Sequence, residues 1–407
     1  MKKMDQLALN RNDLQIIEAP EPKEVILPLK GLEGRDKLRI KIGQRLITGQ
    51  VLYPGLYSSV TGIVKSIDSM SFPDDDYTVI RVEVADEDEF DEAIKAEPDF
   101  QGKTPAELLE LLNRANLGIS EDLADIDTVF VTAVDPDPLS LVYQQVLKEF
   151  KAELSEGFKL IKYLTSAKRV ILAISEEAKE LGSAAIGDVA DLMLVKSQYP
   201  NGLPELLAQR IAEQDSSAKL AFIKIEKLIS ALTILKEGKP AIYKLVTVNT
   251  KSGVNNYRVR LGTPIKEIIK EDELNNNDKI IIGSPLRGAA CFNLETPVTA
   301  DIDLIYVQDT DEVYNYQNLQ CINCGKCVKV CPVNLEVNLI CRYAEFALFE
   351  RCAELDVNAC IECGLCAYYC PSGRALVQFI RLAKDEIKQQ NIEQLLVTTE
   401  NSTEEDQ

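Results

Sequence analysis

The 407-residue chain contains no histidine, no tryptophan and only four methionines. Without histidine the commonest general base near neutral pH is missing. Histidine-ligated zinc, haem and Rieske centres are excluded with it. No apolar run reaches the roughly eighteen residues that a membrane-spanning helix requires. The N-terminal MKKMDQLALNRNDL has two lysines but no continuous apolar stretch, so it is not expected to be a secretory signal. Positive charge is also short. Lys and Arg number 45 against 65 Asp and Glu, for a net charge of −20 at pH 7. Phosphate backbones bind positive surfaces, so nucleic acid is disfavoured as a partner, while a basic redox protein is not. Otherwise the composition, 46% hydrophobic and 27% charged, is that of a soluble globular protein of several domains.

Cysteine is plentiful and patterned. Of 11 cysteines, eight fall in two runs, CINCGKCVKVCP and CIECGLCAYYCP. Each run is C-x2-C-x2-C-x3-C-P, the bacterial ferredoxin pattern whose thiolates hold [4Fe-4S] clusters. Three thiolates two residues apart can wrap one face of a cubane, but a short loop cannot also reach the far corner. The fourth cysteine of each run therefore ligates the other cluster. This assigns one cluster to Cys321, Cys324, Cys327 and Cys370, and the second to Cys360, Cys363, Cys366 and Cys331. Gly325 and Gly364 let the backbone pass close to sulfur. Zinc sites use C-x2-C pairs and rarely a run of four followed by Pro. Disulfides need an oxidising compartment, whereas low-potential clusters and free thiols suit a cytoplasmic or cytoplasm-facing one. Between the runs, Leu335, Leu339, Tyr343, Phe346 and Ala347 recur at helical spacing, which predicts a helical dicluster domain. Cys341 and Cys352 lie outside both motifs and are expected to pack as buried thiols.

Residues 1–22 read as a polar arm. From Glu24 short apolar stretches alternate with Gly-marked turns, predicting a small β barrel-sandwich module over 23–86. It looks lipoyl-like, but carries neither a Met-Lys-Met nor an Asp-Lys-Ala turn for a swinging arm. The acidic VADEDEFDEAIKAEPD (84–99) reads as a solvated boundary. Thr104-Pro105-Ala106-Glu107 is a capping box. From Thr128 strands VFVTAV, RVILAI and DLMLVKS alternate with helices, including one expected over 139–164, giving a mainly parallel α/β unit over 100–236. AIYKLVTVNT, a turn at Ser252-Gly253 and YRVRLGTPIKEII suggest a β-grasp module over 237–300 with strand, turn, strand and helix. The dicluster domain occupies 310–390, and the acidic end, 391–407, is expected to lack order.

This order of parts resembles the C subunit of the Rnf electron-transport complex, and more distantly the flavin-bearing NADH-binding subunit of respiratory complex I. The resemblance runs from about Glu24 to Lys388. It is carried by the two cysteine runs with CAYYCPSGRALVQFIRLAKDEI, and by EGKPAIYKLVTV, VRLGTPIKEII and IIGSPLRGAA. It implies a multidomain α/β protein with lipoyl-like, complex I flavoprotein-like, β-grasp and dicluster ferredoxin parts. In that family a glycine-rich loop, G-L-G-G-A-G-F-P-T, holds NADH and FMN. Here the chain reads Leu117-Gly118-Ile119-Ser120-Glu121-Asp122. Phosphate needs close backbone approach and free amides, and Glu121 and Asp122 would repel it. The second flavin segment, N-G-x-E-C-E-P, corresponds to Thr132-Ala133-Val134-Asp135-Pro136-Asp137-Pro138, which keeps the acidic character but not the Asn or Gly. A degenerate flavin site near Gly118, Asp135 and Asp137 without bound FMN is the expectation.

Three readings follow. The first is an electron-transfer subunit with two [4Fe-4S] clusters, partnered by other redox subunits and open to a ferredoxin, and reaching a membrane only through those partners. The second is an FMN-dependent NADH:acceptor oxidoreductase. The third is a scaffold of a soluble redox complex. Arg374, Arg381, Lys384 and Lys388, after the second run, read as a solvated helix face or as a steering surface for an acidic carrier.

Overall fold

The computed structural model describes residues 14–30, 38–72, 75–118, 126–212, 219–269, 274–275, 278–310 and 319–404, with side chains to residue 390. Contacts divide the chain into one unit of residues 1–284 with 288–310, and another of 285–287 with 311–407.

In the first unit, β1 (Ile16–Glu18) ends the expected polar arm as a strand, paired in parallel with residues 256–258. The barrel-sandwich region contains β2 (Glu24–Leu29), β3 (Arg45–Leu46), β4 (Val51–Tyr53), β5 (Leu56–Tyr57), β6 (Gly62–Ser71) and β7 (Asp76–Val84). Its main sheet has the order β2-β7-β6-β3, beside a small β4–β5 hairpin. Val25, Leu27 and Leu29 alternate into one core with Val64, Ile80 and Val82, while Ile26 packs on the other face with Val79 and Met70. Both faces of β2 are thus covered, as its nearly continuous apolar sequence requires. At Gly62 a Cβ would lie 2.1 Å from the Glu83 carbonyl oxygen, so only glycine permits this strand pairing.

The acidic stretch after β7 is largely exposed, as expected, but it is also tied back to the β module and to Arg260. Thr48 and Phe90 form a β-bridge, and Ile94 is buried. Asp88 accepts hydrogen bonds from Thr48 and the Thr61 amide and pairs with Arg260. Burial opposes its charge, but these donors outweigh burial and hold its carboxyl below the ordinary range. Local composition reads only charge density; the partners lie tens to hundreds of residues away.

The α/β part begins at α1 (Pro105–Arg114), where Thr104 and Glu107 form the expected reciprocal cap. It continues through β8 (Thr128–Thr132), α2 (Val142–Glu149), α3 (Lys151–Thr165), β9 (Arg169–Ser175), α4 (Lys179–Ile186), β10 (Asp191–Val195), α5 (Pro204–Ala212), β11 (Leu220–Lys224) and α6 (Ile225–Glu237). The four strands are parallel in the order β10-β9-β8-β11. All of β8 is buried, because helices cover both faces of the sheet. On one side Val129, Val131 and Leu172 meet Leu154, Phe158 and Leu228. On the other Phe130, Ile171 and Val195 meet Leu207 and Ile211 of α5. The single helix expected over 139–164 is two helices, parted at Phe150 where the backbone leaves helical geometry. The apolar period runs across the break, so the sequence does not announce it.

The remaining sheet contains β12 (Tyr243–Thr250), β13 (Gly253–Arg260), β14 (Lys279–Ile282), β15 (Ala289–Cys291) and β16 (Leu304–Gln308) in the order β1-β13-β12-β16-β14-β15. After β13 the described residues hold only a 3-10 turn, Ile265–Glu267, where a helix was expected. Pro264 at its start and the burial of Ile265 and Ile269 keep this segment as a tight turn against the sheet.

The second unit is helical: α7 (Lys326–Lys329), α8 (Val337–Glu345), α9 (Phe349–Glu354), α10 (Leu365–Tyr368) and α11 (Leu376–Glu404). It is an internal repeat. Cys321 and Cys360 stand 39 residues apart in sequence, and so do Val337 and Leu376, the first residues of α8 and α11. Val337, Ile340, Cys341 and Ala344 of α8 form a core with Leu376, Val377, Ile380 and Ala383 of α11. The helix ends at Glu345, so Phe346, expected on the apolar face, is exposed, and Ala347 turns the chain with φ +55°. The stretch 391–404, expected to lack order, continues α11. Past Gly373 no Gly or Pro interrupts the chain, and its Glu, Gln and Leu favour helix.

One buried polar cluster joins the parallel α/β layer to the six-stranded sheet. Lys244 on β12, only 5% exposed, pairs with Glu226 of α6 and with Asp303 just before β16. Lys224 reaches Asp303 at 3.1 Å, and the Tyr143 hydroxyl donates to it at 3.2 Å. Burial works against the Asp303 carboxylate, yet Lys244 and Lys224 prevail and hold its carboxyl below the usual range. Removing one member of such a cluster strands the others without compensation. Lys244→Met is expected to lower stability by about 3–5 kcal/mol. A melting temperature equal to that of the wild type would show that the cluster holds nothing together.

Candidate iron-sulfur centre

Each cysteine loop turns on two residues in the left-handed region: Asn323 (φ +54°) and Gly325 (+69°) in the first, Glu362 (+52°) and Gly364 (+78°) in the second. After each Cys-Pro pair a third follows, Asn334 (+57°) and Gly373 (+56°). Such conformations point successive backbone amides to one side, the shape of an anion nest. A short helix, α7 or α10, then carries the third cysteine, Cys327 or Cys366. Amides meet sulfur directly: Leu335 N–H donates to Cys331 Sγ, and Glu362 N–H to Cys360 Sγ, both at 3.4 Å.

Seven of the eight thiols have neighbours that cross between the loops. Cys327 has Cys321 and Cys370 as charge neighbours. Cys360, Cys363 and Cys366 each have Cys331. Burial pushes the thiols of Cys327, Cys360 and Cys363 up, and that of Cys366 to about 12. All eight are free. Among the described residues no three Cys, Asp or Glu converge tightly enough to hold a single metal ion. A cubane asks for something else, four sulfurs at its separated corners, and crossed sets of three plus one with inward amides are the donors that fit it. The two groups differ in surroundings. Cys321 and Cys324 are exposed, while Cys363 and Cys366 are each 7% exposed.

The basic residues beyond the second loop are only partly a solvated face: Lys388 is exposed and Arg381 half-exposed, while Lys384 is partly and Arg374 fully buried. Arg381 and Lys384 clasp Glu362 at 2.7 and 2.9 Å, and Lys384 also donates to the Cys360 carbonyl at 2.6 Å. They fix the left-handed Glu362, a conformation disfavoured for a side chain with a Cβ. Arg374 is buried and paired with Glu345 at 2.7 Å. The sequence suggests a solvated or steering face here; instead Arg381, Lys384 and Arg374 make these contacts, which the 39-residue repeat sets beside the loops. Cys341 and Cys352 donate to the carbonyls of Leu376 and Ile340, as packing thiols do.

In the first unit, Asp135 and Asp137 line one cavity with Ser140, Ser175, Lys196 and Tyr199, at the carboxyl ends of β8, β9 and β10. Gly118 does not line it; its carbonyl accepts from Lys227 at 2.6 Å. Residues 119–122 of the expected glycine-loop position lie outside the described residues. The Asp135 carboxyl caps the start of α2, accepting from Ser140 Oγ at 3.0 Å and from the amides of Tyr143 and Gln144 at 2.9 and 3.4 Å. Enclosure there outweighs those bonds and pushes its pKa up to about 7.

The chain thus joins a parallel α/β layer to paired ferredoxin-type cysteine loops. Residues 119–240 match the family model described as the NqrA second alpha/beta domain, and residues 313–371 match the 4Fe-4S dicluster domain. The α/β part, which the sequence relates to the complex I flavoprotein, is thus NqrA-like. The chain is similar to the C subunits of ion-translocating oxidoreductase complexes. It is 26% identical to that of Vibrio cholerae serotype O1 over 94% of this chain and 54% of the relative. It is likewise 26% identical to that of Haemophilus influenzae over 93% of this chain and 64% of the relative. It therefore spans about half to two thirds of the length of these relatives. A crystal structure of an NAD+-reducing [NiFe]-hydrogenase aligns with a TM-score of 0.41 at 12% identity, over 66% of this chain and 54% of that one. That likeness is too loose to bear on the site.

Two outcomes are expected. At Gly364 a Cβ would lie 2.2 Å from the Leu286 carbonyl oxygen, whereas at Gly325 it would meet nothing within 4 Å. Gly364→Ala should therefore lose bound iron on anaerobic reconstitution and Gly325→Ala much less; equal losses would contradict the close approach. For Asp135, a folded pKa above the ordinary 3.8 means that the folded chain holds this proton more tightly than the unfolded one. Its contribution to stability is full below about pH 4, falls as pH rises to about 7, and is flat above. Asp135→Asn should flatten that slope, and a carboxyl infrared band that vanishes by pH 5 in the wild type would refute the assignment.

Proposed function

We propose that this chain is an electron-transfer subunit holding two [4Fe-4S] clusters, working with other redox subunits in an Rnf-like oxidoreductase complex. Each cluster, when bound, takes up and returns one electron. The chain's part is to supply eight thiolates, to turn amides toward their sulfurs, and to keep the second loop's cysteines away from water. The observation that carries the reading is the crossed grouping, Cys331 with the second loop and Cys370 with the first. It supports Cys321, Cys324, Cys327 and Cys370 as one ligand set and Cys360, Cys363, Cys366 and Cys331 as the other. The dicluster family match and the likeness to ion-translocating oxidoreductase components support the same reading.

Substrate chemistry is assigned to no residue of this chain. Asp135 and Asp137 place carboxyl groups where a flavin phosphate would need donors. No helix among the described residues is long and apolar enough to cross a membrane. Attachment at the cytoplasmic face through partner proteins completes the proposal, since reducing surroundings preserve free thiols.

Anaerobically purified or reconstituted protein is expected to carry about eight irons and no extractable flavin. Cys331→Ala and Cys363→Ala should leave the same residual electron paramagnetic resonance spectrum. Cys370→Ala and Cys324→Ala should leave the other. If Cys331→Ala instead resembles Cys324→Ala, each loop closes its own cluster and the crossed assignment is wrong. Four irons or fewer in the wild type, or tightly bound flavin that NADH bleaches, would overturn the function itself.

A further inference from the structure

The 39-residue repeat aligns the two halves of the dicluster unit position by position, and one pair of matched residues differs in a way that bears on the clusters. Arg374, four residues after Cys370, occupies the position that Leu335, four residues after Cys331, occupies in the other half. Both are buried, Leu335 at 6% exposure and Arg374 at 8%. Leu335 is an ordinary member of the helical core and offers the nearby sulfur only its amide. Arg374 brings a permanent charge to the matching place.

That charge is incompletely satisfied by the protein. One terminal nitrogen pairs with Glu345, whose side chain is 38% exposed, and the guanidinium lies 5.6 Å from the centre of the Phe379 ring. The Nε is buried and has no hydrogen-bond partner among the described residues. A buried, unpaired donor on a cation is costly unless something accepts from it. Cys321, a thiol of the first loop, is among the guanidinium's charge neighbours, and Cys370, grouped with that loop, precedes Arg374 by one turn. An acceptor of negative charge at that thiol group would satisfy the donor and the cation together.

From this we infer that Arg374 is a positioning and tuning residue for the cluster held by Cys321, Cys324, Cys327 and Cys370. Its free Nε–H and its charge make that cluster easier to reduce, while at the equivalent position of the other half Leu335 offers no charge. The inference rests on the two-cluster reading above. It goes beyond it in making the halves of a near-symmetric module electronically unequal through one side chain.

The test uses the full chain, reconstituted anaerobically, with midpoint potentials read by electron paramagnetic resonance in a redox titration. Cys363→Ala isolates the first loop's cluster and Cys324→Ala the second loop's. In the Cys363→Ala background, Arg374→Leu should move the midpoint to a more negative potential, and Arg374→Lys should restore part of the shift by keeping charge. Glu345→Gln, which removes the countercharge but leaves the guanidinium, should move it the opposite way. In the Cys324→Ala background Arg374→Leu should leave the midpoint where it was. If Arg374→Leu fails to fold, the Lys and Glu345→Gln variants carry the comparison by the sign of their shifts. Midpoints that do not move, or that move equally in both backgrounds, would overturn the inference while leaving the two-cluster reading intact. Fewer than eight irons in the parent protein would instead defeat that reading first.

Discussion

A loop of three cysteines spaced two residues apart can cover three corners of a cubane and cannot bend back to the fourth. Everything distinctive about the C-terminal unit answers that constraint. The fourth sulfur has to come from elsewhere, so two loops are needed, and each must present its last cysteine to the other. Duplication with the proposed exchange of partners would satisfy both requirements at once. The repeat of left-handed residues, short helix and long helix in each half is the backbone form of that solution. The paired long helices then have a reason to pack, since their contact sets how far apart the two loops stand.

Such loops strain the chain, and the strain is met differently in the two halves. The first loop places Asn323, a residue tolerant of the left-handed region, at its turn and lies open to solvent. The second places Glu362 there, a residue that is not, and holds it with Arg381 and Lys384. It also needs a true absence of side chain at Gly364, where a carbonyl passes close by. The buried loop is thus the more tightly specified of the two. Polar support of this kind contributes mainly through what would be left unpaired without it.

The first unit shows the same economy in another form. Its parallel sheet has the strand order of a nucleotide-binding layer, with a cavity at the carboxyl ends of the strands, the usual place for a ligand in such folds. Asp135 and Asp137 line it, and the Asp135 carboxyl accepts from the amides at the start of α2. The buried cluster of Lys244, Glu226, Asp303 and Tyr143 meanwhile fastens this layer to the neighbouring sheet. The same part of the chain matches the NqrA second alpha/beta domain.

The amino-acid sequence by itself determined the eight cysteines, their identical spacing, the alternation of strands and helices after Thr128 and the capping box at Thr104. Each is a short-range pattern, readable because its cause lies within a few residues. Tertiary structure alone decided the rest. The acidic stretch 84–99 became a strap because Thr48, Thr61 and Arg260 wait for Asp88 from distant parts of the chain. Arg381 and Lys384 pair with Glu362 of the second loop, and Arg374 with Glu345 at the end of α8, partners that only the folded repeat brings to them. A charge's role depends on what it faces, and what it faces is fixed only when segments remote in sequence come together.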